Sequence, residues 1–412
     1  MLLNEYIEQK LFHEVHTSER KAFKNCRRKW HWTFRDRYYP LITAKPLEFG
    51  TAFHKGMETY YNPSTWLQPR QVVAVEAILD FIEVCEKQKQ QAIDNANDIA
   101  LQPDQEKDYA ERVELGKGML SYYFKDVAPY IDHNFIPIAV EKSFAVPIKH
   151  PITGAEAIWC KCQICYDKWW GHWDAIEAEY DKQGIDNPMP PLWKGLPVAY
   201  EGRMDMLAID HNMHYWVFDW KTTSRMMDRN TFLYLDDQVG SYVWAMDKIG
   251  LDIRGFVYHE QHKSYPQPPK RLKSIRQGRA FSVSKSEPVE YDSYLATVMT
   301  EDKDAYDMGF YDEHLAYLKN EGVKFWQRHQ ISKSPQELAN IEYNIGLEVL
   351  DMLHKDLLIY PSSSKFGCDW CAFQTPCMEM NAGGDFQYAL DTLYEKKDHY
   401  YVREELSTEI KG

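Results

Sequence analysis

The sequence lacks the features that would assign it to a membrane, secreted or disulfide-rich class. No run approaches the roughly 18 apolar residues that a membrane span requires. The opening stretch, MLLNEYIEQKLFHEVH, carries acids and lacks the basic start and apolar core of a secretory signal. Only 8 cysteines occur among 412 residues. We therefore expect a cytoplasmic protein without membrane contact, whose clustered thiols stay reduced and bind metal more often than they form disulfides.

Positive charge is also in deficit. Lys and Arg total 48 against 62 Asp and Glu, which gives a formal net charge of −14. This balance counts against a protein that coats nucleic acid, but it leaves open an enzyme that binds nucleic acid in one local basic groove. The hydrophobic content of 44% predicts a folded globule rather than a disordered chain.

The order of periodic segments predicts an α/β fold with a mixed central sheet flanked by helices. Residues 70–130 have helical spacing, and apolar, β-branched strands begin at residue 136. The strands AYEGRMDMLAID and HYWVFDWKTT flank a turn at 211–212, and a helix ending at Gly250 and the strand RGFVYHEQHK follow. Three regions are expected: a helical region 1–135, a core 136–286 with a Cys- and Trp-rich insertion at about 148–198, and a helical region 287–412.

Three charged residues on the paired strands form a candidate reactive site. Asp205 lies in GRMDML, and Asp219 lies fourteen positions later in FDWKTT. If the two strands form a hairpin, both carboxylates reach one end of the sheet, where they make a hard oxygen site suited to Mg²⁺ or Mn²⁺. Lys221, two residues after Asp219, points to the same face and can orient water or offset charge. Taken alone, the Asp-x-Lys triplet is more often a surface charge pair, but apolar strand residues flank it here.

GRMDML followed by FDWKTT resembles the metal-binding core of the PD-(D/E)XK nuclease superfamily. More specifically, it is similar to the RecB-like branch, which includes CRISPR-associated adaptation nucleases, the AddB nuclease domain and phage exonucleases. The resemblance implies a restriction-endonuclease-like αβββαβ core. It also implies that His54, in a G-x-x-x-H motif, is a metal ligand together with Asp205, Asp219 and the main-chain carbonyl of Trp220.

Four further residues bear on this core. The resemblance implies that Gln238 and Tyr242, a Q-x-x-x-Y pair on one helix face, contact DNA and support the catalytic lysine. Glu141 is either an additional acid of the metal-binding site or a structural acid that is buried or forms a salt bridge. Glu201 is an alternative first carboxylate, although the match to the motif favours Asp205.

The stretch CDWCAFQTPC holds three close cysteines, one short of a tetrahedral or cubane site. In iron–sulfur members of the branch a lone N-terminal cysteine supplies the fourth ligand, and Cys26 occupies a similar motif in which Arg27 replaces the usual proline. The resemblance therefore implies a structural [4Fe–4S] cluster, with a zinc site as the alternative. Its ligands would be Cys26, Cys368, Cys371 and Cys377.

The insertion contains a second cysteine group, which has no counterpart in the family pattern. Cys160, Cys162 and Cys165 form C-x-C-x₂-C, with His172 as the expected fourth ligand of a small zinc site and His150 preceding. Three reduced cysteines without metal are the alternative.

Basic residues are clustered in two places. Arg27, Arg28 and Lys29 lie beside Cys26 among aromatic residues, and are expected to bind DNA. A second basic cluster follows the last core strand and consists of Lys270, Arg271, Lys273, Arg276 and Arg279. For either cluster, the alternative to DNA binding is a solvated surface.

These expectations combine into a metal-dependent DNA exonuclease acting on single strands or DNA ends in replication, recombination or repair. The sequence lacks the G-x-x-x-x-G-K-[ST] motif of a helicase, which indicates a nuclease without a helicase domain of its own. A separate helicase or recombinase is a candidate partner. If a phage encodes it, the location is the host cytoplasm. Two alternatives stay open: an endonuclease with the same core that recognises a DNA sequence or structure, and a non-catalytic iron–sulfur DNA-binding recombination partner.

Overall fold

The computed structural model describes residues 1–41, 45–95, 103–226 and 231–397. It confirms the predicted α/β class, with a mixed central sheet flanked by helices. The helices are α1 (Leu3–Glu8), α2 (Thr17–Asn25), α3 (Arg27–Trp30), α4 (Lys45–Tyr60), α5 (Arg70–Asn95), α6 (Pro103–Tyr122), α7 (Ala128–Ile131), α8 (Gln163–Gln183), α9 (Asp237–Ile249), α10 (Tyr291–Glu301), α11 (Lys303–Asp307), α12 (Asp312–Glu321), α13 (Pro335–Met352), α14 (Lys365–Asp369), α15 (Gln374–Ala382) and α16 (Phe386–Leu393).

Seven strands form the central sheet, in which parallel and antiparallel pairs both occur. The path runs β1–β5–β6–β7–β10, and β3 and β4 also pair with β5. Two further pairs, β2 with β11 and β8 with β9, lie outside it. The strands are β1 (His13–Val15), β2 (Tyr38–Pro40), β3 (Phe135–Pro147), β4 (Trp159–Cys160), β5 (Leu196–Asp210), β6 (Tyr215–Thr223), β7 (Ile253–His262), β8 (Arg271–Arg276), β9 (Arg279–Phe281), β10 (Trp326–Ile331) and β11 (Tyr394–Lys396).

The 15-residue strand β5 organises the sheet. Along one edge it pairs with β3, from Pro147↔Ala199 to Phe135↔Asp210. Its other edge carries parallel β1 at 198–200 and antiparallel β6 at 206–209. β6 and β7 are parallel, and α9 forms the crossover between them.

Side chains alternate between two apolar layers, as the period of a strand requires. On one face, Val217 and Phe256 pack against α8, α9 and α13. On the other, Phe218 and Val257 pack against α4, α5 and α6. Helices therefore cover both faces, and the charged residues of the site lie where the strands of the sheet diverge.

The amino-acid sequence explains the ends of two helices. Ser334 caps α13, and its capping box with Glu337 is complete, because the Ser334 hydroxyl accepts from the Glu337 amide and the Glu337 carboxylate accepts from the Ser334 amide. Gly250 ends α9 in the left-handed conformation. The hairpin turn is longer than expected, since β5 ends at Asp210 and β6 begins at Tyr215.

Two features of the sheet and insertion were not predicted. The insertion contains a long helix, α8, which packs on the sheet through Trp169. The sheet also takes β1 and β10 from outside the expected core 136–286, so its edges come from the flanking regions. The three-region division itself stays a prediction.

The N-terminal and C-terminal parts of the chain meet in a small separate core. β2 pairs antiparallel with β11, which joins Pro40 to Tyr394. Trp32, Phe373 and Leu390 are buried beside this pair. No helix of the described ranges is both long and apolar enough to cross a membrane.

Candidate active site

Asp205 and Asp219 lie where β5 and β6 stop pairing. The last paired residues are Met206 and Phe218, so the two aspartates are the next residues along each strand. Asp205 Oδ2 accepts a hydrogen bond from the Trp220 backbone amide at 2.8 Å. The predicted hairpin therefore brings both carboxylates to one place.

The two carboxylate oxygens of Asp219 differ in their hydrogen bonds. Its side chain is only 3% exposed, and Oδ1 accepts from Lys221 Nζ and from Gln238 Nε2, each at 2.7 Å. Oδ2 is buried and meets no hydrogen-bond donor among the described residues. Since a buried carboxylate oxygen without a partner is costly, this atom is well suited to bind a cation.

A second cluster of ligand atoms lies beside the first. His54 on α4, Glu141 on β3 and Asp205 have ligand atoms within 4.8 Å of one another. His54 Nδ1 is 3.3 Å from Asp205 Oδ1 and 3.9 Å from Glu141 Oε1. The structure therefore places His54 next to Asp205, as the motif implied.

Glu141 joins the site through an unusual backbone conformation. Its φ of 47° is rare for a residue with a side chain, and the β3–β5 ladder skips it between Val140↔Met206 and Lys142↔Met204. Its other carboxylate oxygen accepts from Arg203 Nε at 2.8 Å. An apolar strand pattern carries no signal for such a φ, so sequence reasoning could not decide between the two roles of Glu141. Glu201 lies further along β5, where its carboxylate faces His16 at 4.0 Å instead.

The charges in this pocket alter one another's protonation. Burial raises the pKa of Asp219 to about 6, and the Asp205 charge adds to this while Lys221 opposes it. Burial acts in the same direction on Asp205, but His54 holds the pKa of that carboxyl below its ordinary value. Burial would lower the pKa of His54, yet Asp205 raises it to about 10. The pocket thus places carboxylates of different proton affinity side by side and attracts cations.

The Gln–Tyr pair of α9 approaches the site from the face opposite α4. Asp236 caps this helix by accepting from the amides of Gln238 and Val239. Gln238 then reaches Asp219, and the Tyr242 hydroxyl donates to the carbonyl of Arg203 at 3.1 Å. Tyr242 is 8% exposed and packs edge-on against Phe144. The ring is therefore buried in the protein and supports β5, which favours a structural role, and DNA contact by Tyr242 stays a prediction.

The four cysteines expected around one cluster come from both ends of the fold. Cys26 follows α2, and its sulfur accepts from the Ser362 amide at 3.5 Å. Cys377 Sγ accepts from Arg28 at 3.4 Å, and Cys371 Sγ from the Phe373 amide at 3.4 Å. Burial raises the pKa of the Cys371 thiol, and the neighbouring Cys26 and Cys368 add to the effect.

The basic residues beside Cys26 have protein partners. Arg27 donates to Asp351 at 2.8 Å, and Arg28 donates to Asn381 at 3.0 Å. Lys29 is half-buried and lies close enough to lower the pKa of Cys371. These contacts favour a role in joining the N-terminal helices to the C-terminal segment, and DNA binding by these three residues stays a prediction.

The second basic cluster lies on the β8–β9 hairpin. Arg271 pairs with Glu301 at 3.1 Å, and Arg279 donates to the Phe310 carbonyl. Lys270, Lys273 and Arg276 are exposed. This hairpin is therefore a more open basic surface than the one beside Cys26.

The cysteines of the insertion have a different histidine partner from the one expected. The structure places His13 beside Cys160, Cys162 and Cys165. His172 instead packs edge-on against Trp173, and His150 Nδ1 accepts from the Ile152 and Thr153 amides. His13 lies about 150 residues from these cysteines on a three-residue strand, so no local spacing could have identified it.

Comparison with known families gives a match over most of the chain. The family model described as PD-(D/E)XK nuclease superfamily matches residues 17–378. This range contains every residue placed above at the carboxylate site and at the four terminal cysteines, from Cys26 to Cys377. No curated protein matches the chain.

Proposed function

This chain belongs to the PD-(D/E)XK nuclease superfamily, and from that premise we propose that it is a DNA exonuclease of the RecB-like branch. It would act on single strands or DNA ends in replication, recombination or repair. The observation that carries the proposal is the buried Asp219, whose Oδ1 is held by Lys221 and Gln238 while Oδ2 has no donor. Members of this superfamily typically use divalent metal ions.

The residues present fit Mg²⁺ or Mn²⁺. Asp205, Asp219 and the Trp220 carbonyl offer hard oxygen atoms, and His54 offers a nitrogen. Oδ2 of Asp219 supports this assignment, since it has no hydrogen-bond partner among the residues that the structure describes. When bound, the cation supplies positive charge that offsets the charge developing on a scissile phosphate.

Lys221 would act on the water and the phosphate, and Gln238 and Tyr242 would position the site. The Lys221 side chain is 38% exposed, so its ammonium can reach an incoming phosphate while Asp219 holds it at 2.7 Å. It would orient the attacking water and stabilise negative charge in the transition state. Gln238 keeps Asp219 Oδ1 in place, and Tyr242 holds the β5 backbone at Arg203, two residues before Asp205.

The four terminal cysteines would bind a [4Fe–4S] cluster with a structural role. Thiolate ligation suits such a cluster, and the resemblance to iron–sulfur members of the branch assigns these four cysteines as its ligands. Hydrogen bonds from Arg28 and the Phe373 amide to the sulfurs would support bound thiolates. The cluster would join the ends of the fold beside β2 and β11.

A cleavage assay tests the proposal. Linear and circular single-stranded DNA are incubated with the full chain and Mg²⁺, Mn²⁺ or EDTA. The Lys221→Ala variant is compared with Lys248→Ala, whose side chain is also 38% exposed and paired to an acid, Glu342. We expect metal-dependent loss of linear DNA only, reduced about a hundredfold or more by Lys221→Ala and unchanged by Lys248→Ala.

Other outcomes would overturn parts of the proposal. Equal cleavage of circular DNA would identify an endonuclease with the same core. DNA binding without cleavage by cluster-loaded protein, under every metal condition, would identify a non-catalytic recombination partner. A helicase or recombinase partner would be sought by adding the candidate to the same assay and measuring the rate.

A further inference from the structure

The strongest unassigned site lies in the insertion, far along β5 from the carboxylates. His13 on β1 approaches Cys160 at the end of β4 and Cys162 and Cys165 at the start of α8. One ligand atom from each residue lies within 4.8 Å of the others, and His13 Nδ1 is 3.3 Å from Cys165 Sγ. The strand partner of His13, Val198, is seven residues from Asp205, or about 23 Å along an extended strand.

These four side chains are buried without adequate partners. His13 is 8% exposed, Cys160 3% and Cys165 1%, and Cys162 is half-buried. The His13 Nε2 atom meets no hydrogen-bond partner among the described residues, and Nδ1 faces only a thiol, which is a weak hydrogen-bonding group. An imidazole with only a sulfur partner would rarely be buried for packing alone, because its polar atoms lose their hydration.

The spacing fits one tetrahedral ion. With Zn–S distances of about 2.3 Å, the sulfurs of a tetrahedral site are about 3.8 Å apart. The ligand atoms of this group all lie within 4.8 Å of one another, which fits the sulfur spacing around one zinc ion and leaves no room for a multi-iron cluster. The cysteines are free thiols rather than disulfides. Cys162 directly precedes α8 and Cys165 lies in its first turn, where the helix N-terminus favours thiolate charge.

We propose that His13, Cys160, Cys162 and Cys165 bind a structural Zn²⁺ ion. Three thiolates and one imidazole are a ligand set that zinc prefers, and a site with four protein ligands is closed to substrate. This site is independent of the proposed nuclease activity, since it shares no ligand with the carboxylate pocket.

The ion would stabilise a weakly paired part of the sheet. β1 has three residues and β4 has two, so few backbone hydrogen bonds hold either one to β5. Zinc would connect both strands and the start of α8 directly. The residues that follow β1 lead into α2 and Cys26, and His16 Nδ1 donates to the Glu201 carbonyl at 3.0 Å. Loss of zinc would therefore loosen the insertion and the entry to α2.

Metal analysis of the full chain, purified without oxygen, tests the proposal. Zinc and iron per chain are measured by mass spectrometry for the wild type, His13→Ala and His172→Ala. We expect about one zinc per chain in the wild type and in His172→Ala, and a severalfold loss in His13→Ala with iron unchanged. Protein refilled with Co²⁺ should show the visible absorption of a tetrahedral thiolate site.

A second variant covers the case in which His13→Ala fails to fold. His13→Cys keeps a zinc-binding residue at that position and should retain zinc, whereas Cys162→Ser should lose it. The proposal is overturned by zinc near background with no tetrahedral Co²⁺ spectrum in the wild type. It is also overturned if His172→Ala loses the zinc while His13→Ala keeps it, or if iron rather than zinc follows His13.

Discussion

Gln238 and Lys221 donate to the same oxygen of Asp219, each at 2.7 Å, and leave the other oxygen without a donor. The two contacts fix the orientation of the carboxylate and leave Oδ2 as the oxygen that a cation could bind. The orientation of Asp219 therefore depends on Gln238, which lies on a different element, α9, and can act without touching the substrate.

Replacing Gln238 by Ala should weaken metal use by about 10- to 100-fold, because an outer hydrogen bond to a ligand is removed. The measurement is the Mg²⁺ concentration that gives half-maximal cleavage. Gln336→Ala, which removes an exposed glutamine that bonds only Asn340 on α13, serves as the control. Unchanged metal dependence in Gln238→Ala would contradict the supporting role.

Tyr242→Phe should leave DNA affinity unchanged, because the ring is buried. It removes one hydrogen bond to the Arg203 carbonyl and should lower the free energy of unfolding by about 0.5–1.5 kcal/mol. DNA affinity is measured by fluorescence anisotropy with Ca²⁺ in place of Mg²⁺, and stability by urea denaturation. A large loss of affinity with normal stability would show that Tyr242 does contact DNA.

Arg328→Leu should lower the free energy of unfolding by about 3–5 kcal/mol, because it leaves Asp132 buried and unpaired. Arg328 also donates to the Tyr123 hydroxyl, which accepts from the Trp220 indole at 3.2 Å. The double variant with Asp132→Leu should recover part of the loss, as measured in the same denaturation experiment. Equal stability of the single and double variants would argue against an ion pair at this position.

Cys371→Ser should remove iron and the brown colour expected of a [4Fe–4S] protein, and should speed proteolysis near β11. Cys85→Ala is the control, because Cys85 is buried within α5, away from the other cysteines. Iron content and limited digestion are measured on protein purified without oxygen. If the wild-type protein contains zinc instead of iron, and Cys371→Ser loses that zinc, the four cysteines form a zinc site and not an iron–sulfur cluster.

His314 should make the unit formed by α10, α11 and α12 less stable in mild acid. Burial lowers the pKa of His314, Arg279 and Lys285 act in the same direction, and Glu287 opposes them. The folded state therefore binds fewer protons than the unfolded state, so stability is full above about pH 6.5 and falls as the pH drops below it.

Hydrogen-exchange protection of these helices, compared at about pH 7.5 and about pH 5.5, measures the effect. His314→Gln should reduce the pH dependence, whereas His211→Gln, which alters an exposed turn residue, should not. The prediction is wrong if wild type and His314→Gln lose protection equally.

The sheet and the carboxylate pair were predictable because their signals are local. Asp205 and Asp219 lie on apolar strands joined by a short turn, so pairing alone brings them together. Gln238 and Tyr242 share a helix face four residues apart, which any helix guarantees. The fold class is confirmed, and the roles of these residues stay predictions that the geometry supports.

Non-local partners were not predictable. His13 lies on a strand too short to show periodicity, and its cysteine neighbours are about 150 residues away. Arg27 of α3 looked available for DNA, but Asp351 of α13 pairs with it, just as Asp237 of α9 pairs with Lys24 of α2. Charge along a sequence gives no information on which opposite charges the fold will bring near.

The pairing of β2 with β11 has a consequence for the order in which the molecule is completed. Pro40 meets Tyr394, 354 positions later, so the ribosome has synthesised nearly the whole described chain before this contact can form. The hydrogen bond from Arg28 to the Cys377 sulfur likewise cannot form before Cys377 has been synthesised. Contacts so distant in sequence form late and slowly, because a long loop must close first. The helices of residues 45–95 can therefore form early, whereas the pairing of β2 with β11 forms only after Tyr394 has been synthesised.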